Sequence, residues 1–438
     1  MKMLDKTESK RKEKDESPNK EKAGFQFYPF RVSLWKNERE IELAFPPEWD
    51  LVECKMIGHD FPVLSDSQIQ EAFENPIGTQ RIRDLAKGKQ KIVILFDDIT
   101  RPTPTQKILP FVFRELKQAG VAQDKIRLVC AIGCHRPLGR DEMIKKLGRE
   151  VLADYLVFNH NAYEHHVNMG TTSRGTPVLV NREVAGCDLK IGIGSLIPHG
   201  TAGYAGGAKI LLPGVCSIDS VAFNHKNFSA KKYPGQVALG NVKNNHRRLD
   251  MEEAARIAGL DVVVNVALNH KKEILKAFVG DFVEGHREGI NFAKKTYSTP
   301  DKGKFDLMIL NAYPIEETPR KAFWAAHRYL NDGGDVVLIC RNTDGVVPHF
   351  LLGTWGSDYG GRNWYKPGPL KITNARKLFV YTEAISKFEN LYWGTDDKVC
   401  LVLDWEKLIE SLKNHHGRGT RVGIFPYATL QYPFFDEE

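Results

Sequence analysis

Lys91–Phe96 reads KIVILF, and the eight residues after it read DDITRPTP (97–104). An unbroken apolar run of this length, rich in β-branched side chains and closed by a polar, proline-fixed loop, reads as a strand buried on both faces of a parallel sheet. A helix over about 105–119 follows. The theme then repeats. KIRLVCAI (125–132) ends in GCHRP (133–137) and leads into a helix over about 140–147, and DLKIGIGSL (188–196) ends at Pro198-His199. Strand-then-helix alternation predicts an α/β fold with mainly parallel sheets. Ligands of open α/β sheets sit beyond the carboxyl ends of the strands. All three polar clusters fall at such ends, which predicts one shared site.

Outward from this core, residues 31–36 and 40–45 read as a short hairpin, and 261–281 as two strands around the polar turn Asn269-His270-Lys271-Lys272. Near residue 300 the pattern starts again: KFDLMIL (304–310), a helix over about 317–330, DVVLIC (335–340), then strands at 398–404 and 420–425 with a helix between. Three regions are expected. Residues 1–24 form a charged tail too poor in apolar side chains to order itself. Residues 25–298 form an N-terminal domain that carries the polar clusters, and residues 299–438 a smaller C-terminal α/β domain, with the ligand cleft between the two.

Composition narrows the function classes. The chain has 438 residues, 42% hydrophobic and 27% charged, enough for a sizeable core. No apolar run reaches the length of a membrane span and no signal-peptide hydrophobic region opens the chain, so a cytoplasmic protein is expected, without a membrane partner. The seven cysteines are scattered, with no Cys-x-x-Cys pair, and read as reduced thiols. A net charge of +7 comes with no nucleic-acid motif. It points to solubility or an anionic ligand, and no nucleic acid is expected.

Each cluster admits a functional and a plainer reading. In IPHGTAGYAGGAK (197–209), glycines let backbone approach a ligand, Lys209 supplies a point charge, and His199 fits a metal or an acid/base task. The plainer reading is a tight turn with a structural histidine. The segment is no Walker loop, because Ile210 follows Lys209, and no Gly-x-Gly-x-x-Gly opens a helix. Asp98, Thr100 and Arg101 supply a carboxylate, a hydroxyl and a planar fork for carboxylate or phosphate, or else a helix cap with its paired arginine. His135 can exchange protons near neutral pH, or be structural. His160, His165 and His166 lack zinc-helix spacing, and one of them could supply a second acid/base group.

Taken together, DDITRPTP (97–104), GCHRP (133–137), GTTSRGTPVLVNREV (170–184) and IPHGTAGYAGGAKILLPG (197–214) resemble, in order and spacing, the nickel-dependent lactate racemase family. The resemblance is firm over roughly 25–290 and looser beyond. It implies a two-domain α/β enzyme whose N-terminal domain binds a nickel-pincer nucleotide, a pyridinium mononucleotide that holds nickel through sulfurs and a ring carbon. It implies His199 as the metal's protein ligand, His135 as an acid/base group, Arg101 on the substrate carboxylate, and Asp98 and Thr100 with Gly206, Gly207 and Lys209 along the cofactor. The reaction implied is inversion at the hydroxyl-bearing carbon of a 2-hydroxy acid by hydride transfer to and from the cofactor. Proteins that build and load that cofactor are implied partners. The sequence is also compatible with a homo-oligomer.

Three departures modify the expectation. Where the family tethers its nucleotide through a lysine, this chain has Arg182, a poor nucleophile at neutral pH, so the cofactor is expected to bind noncovalently, with Arg182 on its phosphate or thiocarboxylate. The 170–175 loop, Gly170-Thr171-Thr172-Ser173-Arg174-Gly175, has no histidine where the family's second one falls; His166 or His160 is the expected replacement, with His166 taken as the second catalytic residue. In the C-terminal segment Ala312-Tyr313-Pro314-Ile315-Glu316 precedes Lys321 and Trp324. A tryptophan near a cation's place argues against lactate and for a larger substrate such as a sugar acid, with Lys321, helped by Arg320, as the substrate's positive charge. The competing readings are a non-racemising dehydrogenase or lyase on the same scaffold and a nucleotide-binding sensor without turnover.

Overall fold

The computed structural model describes residues 24–342, 344–346, 349, 370–383, 385–386, 392–394 and 396–433. In chain order its strands are β1 (Gln26–Val32), β2 (Arg39–Phe45), β3 (Asp50–Glu53), β4 (Ile92–Phe96), β5 (Ile126–Cys130), β6 (Leu156–Asn159), β7 (His166–Thr171), β8 (Pro177–Asn181), β9 (Leu189–Ser195), β10 (Pro198–His199), β11 (Gly203–Tyr204), β12 (Val262–Leu268), β13 (Ile274–Gly280), β14 (Ser298–Thr299), β15 (Phe305–Asn311), β16 (Leu330–Cys340), β17 (Ala375–Thr382), β18 (Val399–Val402), β19 (Arg421–Phe425) and β20 (Tyr432–Pro433).

Two six-stranded sheets carry the architecture. The first runs β13-β12-β9-β4-β5-β6, parallel except for the edge strand β13. Every residue of β4 and β9 is buried. Successive β4 side chains divide between two cores: Ile92, Ile94 and Phe96 pack under the helix Thr105–Gln118, and Val93 and Leu95 against the helix His246–Ile257 and the 208–215 segment. Period-two alternation with apolar side chains on both faces is what turns KIVILF into a central strand. Each fully buried Ile or Leu contributes about 1.5–3 kcal/mol.

The second sheet runs β18-β17-β16-β15-β19-β3, parallel throughout. The α/β expectation with mainly parallel sheets therefore holds. The division of the chain between the sheets is less simple. Residues from Phe25 onward were expected to open the first unit. Instead β3 pairs with β19 at the edge of the second sheet, and Phe30, Val32, Leu43 and Phe45 of the β1–β2 hairpin fill that sheet's core, Phe45 meeting Trp405 edge-on at 5.4 Å. A one-sided amphipathic hairpin can cover either sheet; the unpaired edge of β19 decides which. The helix expected over 317–330 is shorter. Pro319 opens a 3-10 turn to Ala322, the helix proper is Phe323–Tyr329, and the chain is already extended at Leu330. All seven cysteines are free, six of them buried. Among the described residues no helix is long and apolar enough to cross a membrane.

Candidate active site

β4 ends at Phe96, and the chain turns through Asp97-Asp98-Ile99-Thr100-Arg101. Asp98 is buried. Its Oδ1 accepts from the Thr100 N–H at 3.0 Å and the Thr100 hydroxyl at 2.5 Å, and its Oδ2 meets His135 Nδ1 at 2.6 Å. Burial opposes its ionisation, but His135, Arg101 and the Thr100 hydroxyl outweigh burial and hold the carboxyl well below the usual carboxylate range. An ionised Asp98 fixes the His135 ring: Nδ1 faces the carboxylate, and Nε2 is left for proton exchange. Arg101 folds back on the same turn, its Nη1 donating to the Thr100 carbonyl at 2.7 Å and hydroxyl at 2.9 Å.

This turn is braced from behind by a residue the sequence did not mark. Lys146, fully buried on the helix Arg140–Leu147, pairs with Asp97 Oδ1 at 2.7 Å and donates to the carbonyls of Asp98 at 3.1 Å and Arg101 at 2.9 Å. Trp35, from the turn between β1 and β2, lays its ring 5.1 Å from the Lys146 ammonium and donates its indole N–H to the Ile99 carbonyl at 2.7 Å. The second sheet's hairpin thus helps hold the first sheet's loop.

β9 leads into the ribbon β10–β11, where His199 pairs with Gly203. The glycine segment beyond it seats directly on β9 because Gly192 has no side chain; a Cβ there would lie 2.7 Å from Ile210 Cγ2. Gly206 and Gly207 take φ of +74° and +59°, a region that favours glycine. The expected cradle of free amides is reduced here, since the Gly207 N–H already donates to Asn265 Oδ1 at 3.1 Å. What the segment presents to the cleft is Lys209.

Asp98, Thr100, Arg101, His135, Gly206, Gly207 and Lys209 all line one cleft of about 680 Å³ counting its open mouth. Asn265, His225 and His349 line it too. Asn265 had a signal, a lone polar residue inside VVVNVAL; His225 and His349 had none. His199 and Lys321 are not among the residues that line it, though the charges of Arg101 and Asp98 or Lys209 act on them. Burial, then the charges of Lys209, Arg101, Lys321 and Arg247, push His199 well below its ordinary value, so its imidazole is neutral. Burial and Arg101 likewise lower Lys321, against Asp98 and Glu317. The Lys321 ammonium nitrogen is buried without a hydrogen-bond partner among the described residues. A buried group of cations with one unsatisfied member is a site for an anion.

Other expected residues lie elsewhere. His166 and Arg182 are not among the cleft's lining residues. The β7–β8 hairpin sets His166 opposite Asn181, and Arg182 N–H bonds the His165 carbonyl at 2.8 Å while its side chain is exposed. The hairpin packs against His160, whose ring lies 5.7 Å from that of His166, and pairs Val180 with Cys216, without bringing either expected side chain to the cleft lining. The 170–175 loop is tied to the helix His246–Ile257 through Thr172 to Asp250 at 2.7 Å and Arg174 to Glu253 at 3.0 Å. Arg320 is engaged over the Tyr392 ring at 4.0 Å. Trp324 donates to the Ala428 carbonyl at 2.9 Å and packs edge-on to Phe425, as a core residue does. Among the described residues no three His, Cys, Asp or Glu side chains group as a metal site.

Residues 37–236 match the family described as Lactate racemase N-terminal domain. The chain is 31% identical over 290 residues to the lactate racemase of Lactiplantibacillus plantarum, covering 64% of this chain and 68% of that protein. It is 30% identical over 285 residues to the lactate racemase of Thermoanaerobacterium thermosaccharolyticum, 63% of this chain and 66% of that one. The structure of the lactate racemase apoprotein from the latter organism superimposes with a TM-score of 0.69 at 23% identity, over 93% of this chain and 100% of the other. A Thermotoga maritima protein shares the fold with a TM-score of 0.61 at 15% identity, over 84% and 98% of the two chains. At the identity and coverage of its match to the Lactiplantibacillus plantarum enzyme, this chain belongs to the lactate racemase family.

Proposed function

We propose that the protein is a racemase or epimerase that inverts the hydroxyl-bearing carbon of a 2-hydroxy acid larger than lactate, such as a sugar acid, using a noncovalently held nickel-pincer nucleotide. Membership in the family supports a racemase. The observation that carries the proton-exchange chemistry is the Asp98–His135 contact of 2.6 Å beside Arg101 in the cleft; the substrate class rests on the departures at Lys321 and Trp324, and the noncovalent cofactor on Arg182.

The donor set fits such a cofactor. Neutral His199 is the form of imidazole that ligates metal. Its Nδ1 accepts long hydrogen bonds from the N–H groups of Thr201 and Ala202 at 3.3 and 3.2 Å; ligation through Nε2 would take the other neutral tautomer, with the proton on Nδ1 and these two long contacts given up. Burial and neighbouring cations lower both Lys209 and the unpartnered Lys321, and an arriving phosphate or carboxylate would restore their protonated forms and be held by them. With no three-residue metal cluster among the described residues, the remaining donors for a nickel at His199 would come from the cofactor itself. When bound, that cofactor would supply a hydride acceptor and donor.

The chain's own residues do the rest. Arg101 and Lys321 hold the substrate carboxylate and so orient the carbinol. His135 Nε2 takes the hydroxyl proton as the carbinol hydrogen departs with its electron pair, and Asp98 stabilises the imidazolium that forms. Return of the hydrogen to the opposite face of the planar keto acid inverts the centre. The test is stereochemical exchange by the cofactor-loaded protein across lactate, glycerate, gluconate and mannonate. Epimerisation of the larger acids is expected; exchange of lactate alone would overturn the substrate class, and no exchange at all would overturn the activity.

A further inference from the structure

Inversion at a carbinol calls for proton exchange with the substrate oxygen in two orientations, and the residues expected to supply the second group do not reach the cleft. The 170–175 loop has no histidine. His160 has both ring nitrogens engaged, with the Cys216 carbonyl at 2.9 Å and Asn181 Nδ2 at 3.2 Å, and His166 lies on the β7–β8 hairpin. We propose that His225, on the helix Ile218–Asn227, is the second proton-exchanging residue of this cleft, which rests on the racemase reading above.

Two independent observations carry this. His225 lines the same cleft as His135. Its ring Nδ1 is buried without a well-formed hydrogen bond among the described residues, with the Val221 carbonyl one turn earlier acting on the ring, whereas the matching atom of His135 is bonded to Asp98. A buried, unsatisfied ring nitrogen is costly, and it persists where a ligand uses it. The ring's position is fixed by its backbone: Arg247 donates to the His225 carbonyl at 2.8 Å and to the Phe228 carbonyl at 2.8 Å.

The groups around the ring suit the task. Burial, then Arg247 from the helix His246–Ile257, Lys209 from the glycine segment and His349, keep the imidazole neutral, against the Val221 carbonyl one turn earlier. A neutral ring can accept a proton. An arriving carboxylate offsets those cations and raises the ring's proton affinity as the hydroxyl proton moves. His349 does not fill this place as well, because its ring is packed edge-on against His135 with ring centroids 5.0 Å apart.

The step balances simply. His225 accepts the hydroxyl proton of one stereoisomer while the carbinol hydrogen leaves with its electron pair to a hydride-accepting cofactor and C–O becomes C=O. In reverse, His135 returns a proton to the oxygen and the other stereoisomer forms. The experiment is single-turnover formation of the 2-oxo acid, trapped with hydrazine, by loaded wild type, H225Q and H135Q. The probes are the separate enantiomers of lactate and glycerate and the C2 epimers gluconate and mannonate. H225Q should lose about 100-fold or more from one stereoisomer of a pair and little from the other, with H135Q showing the mirror pattern. Losses within tenfold of each other for both stereoisomers in H225Q overturn the assignment.

A second readout needs neither a variant nor the cofactor. In wild-type apoprotein labelled with ¹⁵N-histidine, the His225 ring signal should shift on adding glycerate or gluconate, and an unmoved signal at saturation overturns the assignment. A wild type that interconverts no pair of stereoisomers overturns the racemase reading instead, and with it this inference.

Discussion

Lys146→Met is the perturbation that most directly tests how this site is built. The methionine keeps most of the side-chain volume but removes the ammonium that pairs with Asp97 at 2.7 Å and caps the carbonyls of Asp98 and Arg101. Lys146 is fully buried and Asp97 nearly so. Removing one partner of such a pair leaves an uncompensated carboxylate and costs about 3–5 kcal/mol, a large part of a typical total of roughly 5–15 kcal/mol. Urea denaturation of the apoprotein followed by circular dichroism reads this as a lower midpoint at unchanged slope. The double variant Asp97→Asn with Lys146→Met removes both charges, and should be more stable than Lys146→Met alone by at least about 1 kcal/mol, a coupling typical of side chains in contact. Turnover should also fall by about 100-fold in Lys146→Met, because displacing Asp98 and Arg101 by even 1 Å has that effect. A single variant within about 1 kcal/mol of wild type, or a double variant no more stable than the single, would refute the bracing argument.

The remaining predictions concern pH, metal, tether and packing. Glu316 is pushed up to about 7 by burial, against the N–H groups of Ser33 and Leu34, so its folded value lies above its unfolded value of about 4.5. The folded chain then binds this proton more tightly; the group's contribution to stability is full below pH 4.5 and is lost as pH rises through 7. Glu316→Gln should flatten that decline in urea midpoints, and an unchanged slope across the window would count against it. His199→Ala should retain the fold by circular dichroism but lose nickel by elemental analysis after cofactor loading; equal nickel in both proteins removes His199 as ligand. Denaturing the loaded protein should release the nucleotide intact, since Arg182 offers no amine to acylate, and a mass adduct on the unfolded chain would contradict this. Gly207→Ala should destabilise the protein by about 1–3 kcal/mol, because a Cβ at φ +59° would lie 2.8 Å from the Phe282 carbonyl and 2.9 Å from His286; a neutral substitution would show that the segment yields.

Legibility in the sequence followed how local the physics was. The α/β class, the strands from 92, 126 and 189, and the gathering of Asp98, Arg101, His135 and Lys209 at their carboxyl ends were readable. Apolar runs and strand-end loops are local signals, and parallel pairing sends all the carboxyl ends the same way. His166 and Arg182 fall outside the cleft lining, a placement that a hairpin register, not residue type, sets. Lys146 went unseen because a lysine on a charged helix, RDEMIKKL, reads as solvated until the Asp97 turn folds over it.

The sequence by itself therefore determined the class of fold, the family and the residues meeting at the β4 and β5 ends. Only the tertiary structure decided that the N-terminal hairpin covers the second sheet while β3 joins its edge, that Trp35 and Lys146 clamp the Asp98 turn, and that His225 enters the cleft. The reason is separation along the chain. Trp35 and Ile99 are 64 residues apart and Lys146 and Asp98 are 48 apart. Contacts of that range leave no periodicity in either partner's neighbourhood; they form only when the helix Arg140–Leu147 has packed on the first sheet and the second sheet's hairpin has closed over its loop.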